Sequence, residues 1–223
     1  LRSETLRAVT TGADHWLRDL EPRTGAELAA LGPPRLLALG AISRARRPRQ
    51  LLRAFEALCA GRAPAERPYL HFDGRPGDDA DEFQAALLAS PNVQRVTWNP
   101  EPLEVELPRL VAESAVLVHL SQGELSPVTP VEALHFGTAV VASKLPAFAE
   151  VLPDEVLVAE DEAGQTAPEV LAQTLERALA TAYEDSAREA RRATAAPFTW
   201  AACAEDHLAI WRGLLSPPGN PSP

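Results

Sequence analysis

The 223-residue chain contains no methionine, a single lysine (Lys144) and two cysteines. A chain that begins at Leu1 without a methionine does not begin at a natural initiator, so it is expected to be cut from a longer protein. Two cysteines, Cys59 and Cys203, cannot build a disulfide framework. Both fall on predicted helices, which suits core packing in a reducing, cytoplasmic compartment. Basic residues are outnumbered 21 to 31, for a formal net charge of −10, and that balance argues against a nucleic-acid footprint. The near-total preference for arginine over lysine fits coding composition better than function. No apolar run approaches the length of a membrane span, and no signal-peptide pattern is present. The histidines, His15, His71, His119, His135 and His207, show no metal-ligand spacing, so no metal is expected.

What is present is a regular alternation. Hydrophobic residues make up 46% of the chain, enough for a sizeable core in one large domain or two small ones. Short apolar runs predict strands at Arg35–Gly40, Tyr69–Phe72, Val93–Trp98, Ala115–Leu120, Ala139–Ala142 and Glu155–Ala159. Helices are predicted between them at Gln50–Ala60, Asp81–Leu88, Val105–Glu113 (or from Pro108), Pro130–Phe136 and Ala147–Val151. Further helices are predicted at Glu169–Tyr183, Ala187–Ala193 and Trp200–Leu215, the last capped by Thr199. Arg23–Leu31 reads as a short helical connector. The pattern predicts an α/β fold: a Rossmann-like, doubly wound parallel sheet of about six strands flanked by helices. There is no internal repeat. The Pro-rich end, 216–223, is expected to be disordered.

The most informative stretch runs from Ser121 to Ser143. It reads as the end of a buried strand, a loop punctuated by Gly123, Pro127 and Pro130, a short helix with Thr129 as N-cap, and Gly137 before the next strand. In an open parallel sheet such a loop lies at the carboxyl ends of the strands, where ligands bind. Glu124 in the loop and Glu132 in the expected first helical turn are eight positions apart, an E-x7-E spacing. A helix N-terminus suits a phosphate, and a nearby carboxylate can accept from sugar hydroxyls. From spacing alone a plainer reading also stands, in which Glu132 only complements the helix dipole and Glu124 is solvated.

The order of these pieces resembles the retaining glycosyltransferases of the GT-B fold, family 4 type (group 1), in their C-terminal nucleotide-sugar-binding half. Val9-Thr-Thr-Gly-Ala-Asp14 resembles the family's interdomain segment. Leu39-Gly-Ala-Ile-Ser43 with Arg46-Arg-Pro-Arg-Gln-Leu-Leu-Arg-Ala-Phe55 is similar to its first loop and helix. Glu124-Leu-Ser-Pro-Val-Thr-Pro-Val-Glu-Ala133 is similar to E-P-F-G-x-T-P-x-E-A. Gly137-Thr-Ala-Val-Val-Ala-Ser143, with Glu150 after it, resembles G-x-P-V-V-A-S…E, and Phe198-Thr-Trp200 resembles the F-S-W that opens the terminal helix. The resemblance implies a donor-binding domain over 23–196. It also implies an interdomain linker and the tail end of a missing N-terminal acceptor domain over 1–22, and a helix over 197–215 returning toward that domain.

The resemblance further implies roles. Glu132 binds ribose hydroxyls and Glu124 contacts the donor sugar. Arg46 holds the diphosphate and steadies the leaving group, Ser126, Val128 and Thr129 line the donor, and Trp98 and Asn99 lie near the nucleobase. Arg47 is a further donor contact or a solvated loop residue, and Trp98 also suits plain packing. His119 and His135 are expected to be structural, and Lys144 is left unassigned. The donor is a nucleotide-diphosphate sugar serving as substrate, with no cofactor and no metal. Two positions depart from the family pattern: Ala41 stands where it has arginine, and Pro127 where it usually has glycine, removing one charge and one N–H. Three functions therefore stay open: an active retaining glycosyltransferase, a non-catalytic GT-B-like binding domain, and a nucleotide-sugar epimerase of the same architecture. The absent domain is the expected route to any peripheral membrane contact.

Overall fold

Six short strands form one all-parallel sheet in the computed structural model, which describes residues 9, 11–18, 20–160 and 165–215. The strands are β1 (Arg35–Leu39), β2 (Tyr69–Asp73), β3 (Val96–Asn99), β4 (Val116–His119), β5 (Ala139–Ser143) and β6 (Leu157–Val158), in spatial order β3-β2-β1-β4-β5-β6. The Pro-rich end and most of the segment before Thr11 lie outside the described residues. The expected Rossmann-like fold is borne out. Strands β3 and β6 start later than their apolar runs suggest. Val93–Arg95 and Asp154–Val156 each close a 3-10 turn just before β3 and β6, so their first residues coil instead of pairing.

Both sheet faces are buried, as parallel sheets require. Along β1, Leu36 belongs to one core and Leu37 to the other; along β4, Val116 and Val118 face one side and Leu117 the opposite one. Helices α2 (Pro48–Cys59) and α7 (Pro168–Ala180) cover the first face, where Leu51, Leu52, Phe55, Leu171 and Leu175 are nearly or fully buried. Helices α5 (Val128–His135), α6 (Pro146–Ala149) and α8 (Asp185–Ala195) pack on the second through Val131, Leu134, Phe148 and Ala195. The remaining helices are α1 (Gly25–Ala29), α3 (Ala80–Ala89), α4 (Leu107–Ala112) and α9 (Trp200–Leu215). Both cysteines are buried and free.

Helix α5, which carries Glu132, is held firmly at its C-terminal end. Gly137 ends it at φ 74°, a conformation that costs a residue with a side chain. A Cβ there would sit 3.0 Å from both Cβ and O of Arg188. Gly137→Ala is therefore expected to cost about 1–3 kcal/mol from backbone strain and crowding together. Urea unfolding measures it, and a loss below about 0.5 kcal/mol would show that α8 gives way.

The N-terminal end of α5 differs from the expectation. The helix starts at Val128, not Pro130, and Thr129 makes no capping bond; Pro127 occupies the N-cap position. Pro130 is tolerated as the third helical residue because first-turn N–H groups have no partner four residues back. Glu132 thus falls in the second turn, away from the free N–H groups. Thr199 does cap α9, accepting from the Ala202 N–H at 3.1 Å.

Candidate active site

The site is built from two loops at the carboxyl ends of β1 and β4. These central strands are neighbours in the sheet, but the chain leaves them in opposite directions, which makes their junction the switch point of the fold. After β1, Gly40 turns the chain at φ 111°, and a 3-10 turn over Arg44–Arg46 leads into α2. After β4, the loop carries Gln122, Gly123 and Glu124. A backbone bond ties the two loops together, from the Gln122 N–H to the Ala45 carbonyl at 3.1 Å. That bond sets Arg46 against Glu124.

Three polar side chains converge there. The Nη1 of Arg46 donates to Glu124 Oε1 and lies 2.6 Å from His119 Nε2, which is itself 3.2 Å from the same carboxylate oxygen. The His119 ring, 7% exposed, packs edge-on against Phe148 with ring centroids 5.3 Å apart. Burial, helped by the Arg46 charge, pushes the His119 pKa below its usual value, so the ring is neutral at pH 7. Burial alone would raise the Glu124 pKa. The polar contacts around it, the Arg46 charge among them, outweigh that and hold the carboxyl below its usual range. A guanidinium has five N–H groups. Both Nη1 hydrogens of Arg46 are engaged, while Nε and Nη2 have no acceptor among the described residues.

Glu132 is in a different situation. Its side chain is 6% exposed, and its only polar neighbour among the described residues is His15 Nε2 at 3.5 Å. Burial pushes its pKa up to about 7. A buried carboxylate with no hydrogen-bond donor is costly to keep, and hydroxyl donors from a ligand would relieve that cost.

Arg46, Glu124, Ser126, Val128 and Thr129 line one open concavity of about 710 Å³, together with His119. The Val128 and Thr129 N–H groups precede the first intrahelical bond of α5, from the Val131 N–H to the Pro127 carbonyl at 3.0 Å. The helix therefore points free donors into the region that Arg46 serves. Glu132 lies one turn further along the same helix. Arg47 lies elsewhere: its nearly buried side chain pairs with Glu160 and lines a separate concavity of about 330 Å³. It is the one non-glycine residue with positive φ, 55°, among those described. Trp98 and Asn99 stand on the outermost strand, three strand positions from β4, about 14 Å at the usual spacing. The Trp98 indole donates to the Gly74 carbonyl at 2.8 Å and its ring meets Phe83 edge-on. The Asn99 amide donates to Asp73 at 2.6 Å. Lys144 pairs with Asp154 at 3.1 Å.

His119, expected to be structural, touches both polar members of the site. One signal was available: it ends the strand that feeds the Glu124 loop, five residues earlier. His135 lies buried on α5 with Nε2 3.2 Å from the Phe198 carbonyl.

A cation with unspent donors, two carboxylates and a helix N-terminus thus lie at the switch point of a doubly wound sheet, where open parallel sheets bind their ligands. The chain belongs to the glycosyl transferases group 1 family, whose model matches residues 24–197. It is similar in fold to a glycosyltransferase from Rickettsia africae ESF-5, with TM-score 0.73 and 15% identity over 94% of this chain and 57% of that one. It is also similar to a sucrose-phosphate synthase from Thermosynechococcus elongatus, with TM-score 0.72 and 22% identity over 92% and 51%. A UDP-forming trehalose-phosphate synthase from Burkholderia vietnamiensis gives TM-score 0.64 and 14% identity over 92% and 50%. The chain thus spans about half the length of these neighbours, and identities this low speak for the GT-B fold alone. No curated protein matches the chain in sequence. No helix among the described residues is long and apolar enough to cross a membrane.

Proposed function

We propose that this chain is the donor-binding domain of a retaining glycosyltransferase that uses a nucleotide-diphosphate sugar. One observation carries the reading. The unspent Nε and Nη2 edge of Arg46 shares a concavity with Glu124 and the N-terminal turn of α5. A diphosphate there meets a guanidinium edge and free backbone N–H groups, both of which stabilise charge that grows as the leaving group departs. Glu124 accepts from hydroxyls of the donor sugar, and Glu132 from the ribose. The charge of Arg46 does the work that a divalent ion does in other transferases, so chelation is expected to leave donor binding unchanged.

On this reading the acceptor sits on a second domain. Helix α9 would face it with Trp200, Trp211 and Leu214, which are 44%, 55% and 77% exposed. The two buried, unpaired cysteines suit a reducing, cytoplasmic setting. Ala41 and the N–H-free cap at Pro127 favour the second reading, a domain that binds the nucleotide without turning it over.

Calorimetric titration with UDP-, GDP- and ADP-sugars tests the proposal, and silence with all three would remove it. Arg46→Ala is expected to weaken donor binding about tenfold. In the protein completed by its acceptor domain, the same change should lower kcat about a hundredfold, because a cation facing developing charge acts mostly in the transition state. A raised KM with unchanged kcat would make Arg46 a ground-state contact.

A further inference from the structure

We propose that His119 is a positioning residue: as a neutral imidazole protonated on Nδ1, it takes one Nη1 hydrogen of Arg46 and so aims the free edge of that guanidinium at an anion in the concavity. This rests on reading the concavity as a diphosphate site. The geometry argues the tautomer. Arg46 is always charged and only donates, whereas Glu124 only accepts; the atom that lies 2.6 Å from Arg46 Nη1 and 3.2 Å from Glu124 Oε1 is governed by the shorter contact and offers a lone pair. His119 Nε2 is that atom, which leaves the proton on Nδ1. The second Nη1 hydrogen goes to Glu124. Nη1 is thereby held at two points, and rotation of the guanidinium about its stem is blocked. With only Glu124 as tether, the fork could pivot about one contact.

A second observation sets His119 apart from an ordinary core residue. Its Nδ1 is buried without any partner among the described residues. An unsatisfied buried N–H is costly, and leucine or phenylalanine would pack on Phe148 without that cost. The polar ring is retained for its other nitrogen.

Protonation reverses the arrangement. The charged groups that face the ring are Arg46, from the loop after β1, and Glu124, from the loop after β4; α6 presents only the Phe148 ring. An imidazolium would donate Nε2–H to Glu124 at its present 3.2 Å and repel Arg46, removing the His119 tether and leaving Glu124 as the single one. Acid therefore unlocks the guanidinium.

The test has two arms on the 223-residue chain. Nitrogen-15 NMR of the imidazoles should show His119 as the Nδ1–H tautomer at pH 7.5, and a signal from Nε2–H would overturn the role outright. Calorimetry with UDP, GDP and inorganic pyrophosphate at pH 7.5 and 5.5 then compares wild type, H119L and H119Q. Glutamine offers an acceptor oxygen that does not titrate. H119Q is expected to bind within twofold of wild type at pH 7.5, and H119L at least fivefold more weakly. On acidification wild type should lose at least threefold more affinity than H119Q. Glu132 and the phosphates titrate in both proteins, so that difference isolates His119. Wild-type affinity in H119L would overturn this role while leaving the donor site standing. Failure of the wild-type chain to bind any of the three probes would overturn both.

Discussion

Arg188→Leu is expected to destabilise the fold by on the order of 3 kcal/mol, the largest loss from any single change outside the apolar core. Arg188 is fully buried, and no carboxylate among the described residues pairs with it. Its guanidinium instead donates to three backbone carbonyls: Phe136 at 2.7 Å, Arg23 at 3.1 Å and Ala182 at 3.2 Å. These belong to the end of α5, the lead into α1 and the turn after α7, so one side chain joins three parts of the chain. Burial lowers its pKa to about 10, with the nearby Arg192 and Arg191 charges adding to the effect. That depression means holding the charge costs roughly 3 kcal/mol, and leucine would recover this much. Leucine would also leave three buried carbonyls without donors, at about 1–3 kcal/mol each. The second effect is the larger. For a chain of this length the net loss corresponds to a fall in Tm of about 6–12 °C. A melting point within 2 °C of wild type would mean that water reaches those carbonyls.

The same residue shows how much of the fold could be read in advance. The sheet was legible because most strands are short apolar runs with glycine, proline or asparagine close to one end or both, and two-sided burial makes such runs continuous. Arg188 was not. In sequence it sits in Asp185-Ser-Ala-Arg-Glu-Ala-Arg-Arg192, which reads as a polar, solvated helix, and nothing local shows that one arginine turns inward. Helix starts were legible only to within two residues. At Pro127–Pro130 two prolines compete for the first turn, and tertiary packing chose the earlier start.

The site divides along a similar line. Arg46, Glu124, Ser126, Val128 and Thr129 come from two motifs, and their meeting follows from the topology once β1 and β4 are neighbours. Arg47 adjoins Arg46 in sequence but turns away, because its left-handed backbone starts α2 and sends its side chain to Glu160. His119 joins the site through a distance, 2.6 Å to Arg46, that no motif records.

Glu132→Gln is expected to make the protein more stable and to weaken its donor binding. The stability part follows from burial. In the folded chain the carboxyl titrates at about 7 against an ordinary 4.5, so folding favours its protonated form. Its contribution is fully present below the unfolded pKa and is lost as pH rises from about 4.5 through 7. One pKa unit is about 1.4 kcal/mol, so at pH 8 the ionised side chain costs the fold about 3 kcal/mol. Glutamine has no charge to bury. Urea unfolding should find Glu132→Gln ahead of wild type by up to that amount at pH 8, with the gap closing toward pH 4.5. A gap independent of pH would mean that His15, 3.5 Å away, already compensates the charge. The binding part follows from the same fact. Hydroxyl donors from a ribose stabilise the carboxylate, so binding should draw the pKa back down and expel a proton. At pH 7 about half of the unliganded molecules carry that proton, so binding should release about half a proton. Calorimetry in buffers of different ionisation enthalpy measures this directly. Glu132→Gln should release none of it and bind at least tenfold more weakly, the loss expected for charge-assisted bonds. Equal affinity in the two proteins would place the ribose elsewhere and leave the buried charge of Glu132 without a function.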